Sequence, residues 1–306
     1  MRSVWGLLGL VAGLLVANGP SLAAPKKAAA AGPNAISVFP ISGQRGSTFA
    51  VTVRGSQLRE TRSVFTEDPA LTFTVEGCEA EPPDPAAGGA KPKTPFDLVR
   101  LRVQVAADAA PGRHLFRVVT GRGISNALPL YVSELPVTAE PAGAHESPAT
   151  AVAVEKLPAV ISGRIGQRGE TDYYVFPAKA GETITFEAIS GLPSLAGPGG
   201  NAAGFDPALS IYEDAPSWLD DHHVKRIAFN DEPLWVAGRL TNAYLTHRFE
   251  KDGRYLLRVE AFSGQGGPDY GYRLRMVSGP SPATPDPPDD LWEERVYSRR
   301  LSANRL

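Results

Sequence analysis

Residues 219–226 read LDDHHVKR, with two carboxylates, Asp220 and Asp221, directly before two imidazoles, His222 and His223. These are the side chains from which zinc sites and general acid–base pairs are assembled. The spacing works against both. Adjacent residues of an extended chain point to opposite sides, so neither the two histidines nor the two aspartates close easily on one ion. A third donor would have to come from His145, His247 or an acid such as Asp206, and no fixed spacing links them. Other catalytic patterns are missing from the sequence, which has no Gly-x-Ser-x-Gly elbow and no Gly-Lys-Ser/Thr phosphate loop. His145-Glu146 is followed by Ser147-Pro148, which precludes a His-Glu-x-x-His zinc helix, and GPGGNAAG at 197–204 has its third glycine at the wrong spacing for a nucleotide loop. The residues therefore read as a polar loop. With Trp218 and Trp235 close in sequence, Asp221, His222 and His223 form the candidate binding surface, since aromatic side chains on a loop can stack on a sugar or dock into a protein.

The elements that must carry this loop are short. The chain has 306 residues, is 42% hydrophobic and 21% charged, and its net charge of -2 gives no basic footprint for nucleic acid. With 31 glycines and 28 prolines, it favours short strands and turns over long helices, and the length fits roughly two domains. One arginine precedes an apolar run from Val4 to Ala17, followed by Gly19-Pro20 and small residues. That is the layout of a signal peptide over 1–23, too short an apolar run for a membrane span. The expected mature chain is secreted, periplasmic or at the cell surface, with no transmembrane segment after cleavage. Cys78 is the sole cysteine, so no internal disulfide or thiolate cluster is expected. It stands at the end of a strand-like run, where a buried, inert thiol is expected.

After a leader over 24–34, seven strand-like segments follow: ISVF, TFAVTVRG, SVFTE, LTFTVEG, FDLVRLRVQVA, RHLFRVVT and ALPLYVS. Val51 and Val53, and then Leu98 to Val105, alternate with the period of half-buried strands. Seven such segments in about a hundred residues suit a two-sheet sandwich. The Pro- and Gly-rich stretch from Glu79 to Pro95 is expected to be a long exposed loop. A linker is expected over 135–145. Eight more segments then repeat the rhythm: AVISGRI, TDYYVFPA, ETITFEAIS, PALSIYED, RIAFND, AYLTHRFE, GRYLLRVEAF and YGYRLRMVS. PGRHLFRV (Pro111 to Val118) and DGRYLLRV (Asp252 to Val259) echo each other, and Tyr255 suits a sandwich corner in which a tyrosine hydroxyl bonds back to the backbone. Residues 279–306 read as a Pro-rich spacer and an Arg-rich tail.

The first region, 35–134, resembles the immunoglobulin-like IPT/TIG modules of exported bacterial proteins. The pattern is carried by Pro40, Gly43, Gly46, Val51, Val53, Gly55 and Leu58. The second, 146–278, resembles the bacterial pre-peptidase C-terminal (PPC) domain, a jelly-roll-type β-sandwich. That resemblance rests on Gly169, Asp172, Tyr174, Phe176 and Gly181, with FDPALSIYED, FNDE and DGRYLLRVEAF downstream. Some members of that family are similar to collagen-binding modules and hold calcium through acids at the domain entry and around the Gly-x-x-Asp turn. The resemblance therefore implies Glu146, Glu170 and Asp172 as candidate calcium ligands, although three acids fall short of the six to eight oxygens the ion takes.

The expectation is thus an all-β protein of two tandem β-sandwiches after a signal peptide. It is an exported, non-catalytic binding or adhesion protein without a required cofactor, with an extracellular protein or glycan as partner. An accessory module of a secreted, peptidase-associated enzyme, a divergent hydrolase and a structural envelope component are the alternatives.

Overall fold

The computed structural model describes residues 32–82, 96–141, 143, 145–191, 205–216, 224–231 and 242–284. The expected signal peptide, most of the leader, most of the Pro-rich loop, Trp218, Asp221, His222, His223 and Trp235, and the tail from 285 lie outside these residues. The chain is all-β. Among the described residues the helical element is one 3-10 turn, Pro148–Thr150, and no helix is long and apolar enough to cross a membrane.

Strict alternation builds the first sandwich. Strands β1 (Asn34–Phe39), β3 (Thr48–Ser56), β6 (Asp97–Val105) and β5 (Leu71–Ala80) lie in that order in one sheet. Strands β2 (Ser42–Gln44), β9 (Leu128–Ser133), β7 (Gly112–Thr120) and β4 (Thr61–Thr66) form the other, with β8 (Gly123–Ile124) beside β7. On β6 the side chains of Val99, Leu101, Val103 and Val105 are buried while Arg100, Arg102 and Gln104 are exposed. Phe116, Val118, Leu128, Leu130 and Val132 meet them from the facing sheet. Each such apolar side chain contributes about 1.5–3 kcal/mol when fully buried. Cys78, expected buried, is half-buried on β5, because that edge strand packs against the core only in part.

The second sandwich has two five-stranded sheets. One runs β10 (Val137–Ala139), β12 (Ala159–Arg164), β19 (Gly271–Ser278), β14 (Thr183–Ser190), β17 (Asn242–Arg248). The other runs β11 (Val152–Ala153), β13 (Thr171–Ala178), β18 (Gly253–Ala261), β15 (Pro207–Pro216), β16 (Val224–Asn230). Its core is richer in aromatic rings, with Tyr174, Phe176, Phe186, Phe205, Phe249 and Tyr272 all fully buried. The segment expected as a linker, 135–145, carries β10, which pairs in parallel with β12 and so belongs to this sandwich.

The described residues of the two sandwiches touch directly. Ile41, Tyr131 and Ile189 form a small shared apolar cluster, and the Ile41 amide donates to Ser162 Oγ at 2.9 Å. Arg54 on β3 bonds Glu81 through Nε and Nη2 and reaches Asp269 of the second sandwich with Nη1 at 2.7 Å. The Arg164 guanidinium, from the second sandwich, lies 3.9 Å over the Phe39 ring of the first.

Past β19 the chain does not leave the surface at once. Residues 279–284 cross the outer side of β14 and β19. Thr185 Oγ1 donates to the Gly279 carbonyl at 2.8 Å, and Arg275 reaches Ser281 Oγ at 2.8 Å and the Pro282 carbonyl at 2.6 Å. Glu187 accepts the Thr284 amide at 2.6 Å and also its hydroxyl, and Arg273 Nη1 meets the same hydroxyl at 2.9 Å.

Candidate functional site

At one end of the second sandwich an acid, an imidazole and two phenols meet inside the protein. Residues two apart on a strand share a face, so Asp172 on β13 points inward with Tyr174 and Phe176. Tyr272 points inward from β19 with Leu274 and Met276. Its ring lies over Gly163, the residue paired with it on β12, and a Cβ built there would stand 2.3 Å from Tyr272 Cζ. Only a residue without a side chain leaves room for that ring.

Two further residues come from the segment between β10 and the 3-10 turn. Glu140 directly follows β10; its amide bonds the Ser162 carbonyl at 3.0 Å and its Oε2 accepts the Arg164 amide at 3.0 Å. The His145 carbonyl accepts the Tyr173 amide at 3.0 Å, which ties the other end of the segment to β13. The parallel β10–β12 pairing and these backbone bonds fix both side chains over the end of the core.

The hydroxyls form a chain. Tyr272 donates to Asp172 Oδ2 at 2.6 Å, the Tyr174 and Tyr272 oxygens are 2.6 Å apart, and Tyr174 donates to Glu140 Oε1 at 2.8 Å. His145 Nε2 lies 2.7 Å from Glu140 Oε1 and 3.2 Å from Asp172 Oδ1. Neither contact has the alignment of a hydrogen bond, so Nε2 and Asp172 Oδ1 are both left without one. The ring is held between two carboxylates by charge and packing more than by a directed bond.

The environment sets the proton affinities. Contact with Asp172 raises the His145 pKa to about 9, against burial, which lowers it, and with help from the Glu140 charge. Asp172 is shifted up because burial penalises its charged form; His145 and Tyr272 pull it back in part. Burial moves both Tyr174 and Tyr272 well up, so they remain hydroxyl donors. Asp172, Tyr174 and Tyr272 have no exposed surface, His145 is 7% exposed and Glu140 is half-buried, so among the described residues the charge network is largely enclosed.

The residues named from sequence are placed differently. Of Glu146, Glu170 and Asp172, the acids implied for calcium, only Asp172 belongs to the cluster. Glu146 is exposed, and the half-buried Glu170 carboxylate accepts backbone amides of Gly166 and Gln167 in the turn closed by Gly169, whose φ is +81°. His247, one of the donors considered for the Asp/His loop, packs edge-on against Phe249 with centroids 4.8 Å apart. The loop residues Asp221, His222, His223, Trp218 and Trp235 lie outside the described residues, but the strands that anchor their loops are defined. The segment 217–223 joins β15 to the start of β16, whereas Trp235 falls in the connection leaving the end of β16. Seven strand residues separate the two anchor points, about 20 Å. Sequence reasoning missed Glu140 and His145 as partners of Asp172. The only local signals are an acid closing the alternating run VTAE and a histidine three residues before Pro148.

No protein-family model and no curated protein matches the chain. Among solved structures it is similar to the pre-peptidase C-terminal domain of a Bacillus anthracis collagenase, at 14% identity over 42% of this chain and 94% of that one, TM-score 0.27. It is also similar to CorA, a surface-associated copper-binding protein of Methylomicrobium album (10% identity, 42% and 98% covered, TM-score 0.28). A third is SGBP-B from a xyloglucan utilization locus of Bacteroides uniformis (11% identity, 81% and 73% covered, TM-score 0.23). At these scores they carry no argument: the fold rests on the sheet order above and the site on its own distances.

Proposed function

We propose that this chain is an exported, non-catalytic binding protein that presents the β16 side of its second sandwich to an extracellular protein or glycan. The observation that carries the reading is the exposed aromatic on an edge strand. Among the described strands β16 pairs in its sheet only with β15, and its Phe229 is 42% exposed with the Arg226 guanidinium 5.3 Å from the ring centroid. An exposed ring beside a guanidinium and an open strand edge suits stacking on a sugar or docking of an extended peptide. The enlarged connections with Trp218 and Trp235 leave from the two ends of this same strand. The enclosure of the acid–imidazole network supports a non-catalytic role, since the strongest concentration of ionisable groups in the described residues faces the core.

A glycan and matrix-protein array probed with the mature chain tests the reading. Ligands of the wild-type chain should lose at least about tenfold in affinity on Phe229→Ala or Trp218→Ala, the effect of removing one stacking contact. Retention of the full binding profile by both variants, with the fold intact by circular dichroism, would exclude the β16 side.

A further inference from the structure

The resemblance to calcium-holding sandwiches raises the question of what neutralises the two carboxylates that close the end of this one. The donor set does not fit calcium. That ion takes six to eight oxygens at 2.3–2.6 Å. Here Glu140 Oε2 is committed to the Arg164 amide, Glu140 Oε1 to the Tyr174 hydroxyl at 2.8 Å, and Asp172 Oδ2 to the Tyr272 hydroxyl at 2.6 Å. Asp172 Oδ1 is the one carboxylate oxygen of the pair without a hydrogen bond, and it faces a ring nitrogen 3.2 Å away. Glu146 and Glu170 lie outside the close cluster, although Glu170 feels the charges of Glu146 and Glu140, and Asp172 and both tyrosines have no exposed surface.

Two carboxylates brought together out of water are penalised by desolvation and by their mutual repulsion, and a neighbouring positive charge relieves both. The Arg164 guanidinium, stacked over Phe39 at the junction between the sandwiches, feels the charge of Glu140, but this residue bonds Glu140 through its backbone amide and not through its side chain. The imidazole of His145 is the group that lies within 3.2 Å of both acids. We infer that the imidazolium of His145 takes the place of a bound metal ion in this sandwich: it is a resident cation, carried by the chain, that pins the segment after β10 onto β13 and makes the domain independent of calcium. The backbone bond from Tyr173 to the His145 carbonyl holds the ring there without any ion.

The full chain should be melted in excess chelator and in millimolar calcium, with metal content read by mass spectrometry. The wild type should melt within about 1 °C in both and carry far less than one divalent ion per chain. A chelator-induced drop of several degrees, or a stoichiometric calcium or transition metal, would overturn the inference. His145→Gln keeps a polar planar group but removes the charge, and its melting point in chelator should fall by roughly 5–10 °C. If that variant melts with the wild type, His145 is not the counter-charge. Should it fail to fold, the two wild-type measurements decide alone.

Discussion

Each sandwich buries an aspartate, and each solves the problem differently. In the first, Asp97 Oδ2 accepts the Leu58 amide at 2.9 Å and the Arg59 amide at 3.3 Å, and Oδ1 meets the Arg59 guanidinium at 3.2 Å. Its partners are the backbone of one neighbouring turn and a side chain that is itself largely exposed. In the second, Asp172 depends on a histidine 27 residues earlier and a tyrosine 100 residues later, both buried. Both acids draw their partners from distant parts of the chain, but the first is held by a single turn and stays wet at its rim, whereas the second sits in a network of three buried segments that exists only when the whole sandwich is closed. The first arrangement should tolerate damage; the second should fail as a unit.

The sharpest way to break the contrast is to neutralise each acid in turn. Asp172→Asn leaves the His145 charge facing an amide inside the core and should cost about 3 kcal/mol in urea unfolding. Asp97→Asn keeps an acceptor for the Leu58 amide and should cost about 1 kcal/mol. Equal losses would show that burial alone, not the origin of the partners, sets the penalty.

Alkaline titration sharpens it further. The folded His145 pKa lies above its ordinary value of 6.5, so its contribution is complete below about pH 6.5 and fades as pH rises through about 9. Asp172, also shifted up, works in the same direction at lower pH. Discounted for partial solvent screening, the loss between pH 6.5 and 9.5 should be about 2 kcal/mol. Unfolding followed across that range should show the decline in the wild type and a much flatter line in His145→Gln.

The smallest expected effect concerns the two corners. Tyr255 Oη donates to the Lys251 carbonyl at 2.8 Å, four residues back. His114, at the equivalent place in the echoed sequence, contacts the Ala110 carbonyl through Nε2 at 2.7 Å, again four residues back, while Nδ1 meets Asp68. Tyr255→Phe should cost about 1 kcal/mol by thermal unfolding, and His114→Phe somewhat more because Asp68 is stranded. A corner whose loss is silent in both would reduce the echo to coincidence.

Much of this architecture is legible in the chain because its signals are local. Fifteen expected strand segments correspond to β1, β3 to β7, β9 and β12 to β19, each marked by alternation or by a run between Gly and Pro turns. The Tyr255 corner is legible for the same reason, since donor and acceptor are four residues apart. The short strands β2, β8, β10 and β11 are not, because two or three residues carry no period and pair only after the longer strands are in place. The site suffered most from this. Once Val137–Ala139 reads as linker, Glu140 and His145 have no reason to face Asp172, and attention goes instead to LDDHHVKR, where the residue types are conspicuous. Glu146 and Glu170 come from the family resemblance alone, and in the fold they lie outside the close Glu140–His145–Asp172 cluster, with Glu170 feeling the charges of Glu146 and Glu140.

The crossing of residues 279–284 bears on how this molecule would answer a mechanical load. The crossing is clamped to β14 and β19, which are interior strands of their sheet, with contacts spread from Gly279 to Thr284. Tension applied to the tail would therefore arrive at several bonds at once, along the surface of the sheet, and would not unzip an edge strand one bond at a time. Tethered by its C-terminus, the protein would hold its sandwiches under pull until that clasp is sheared away.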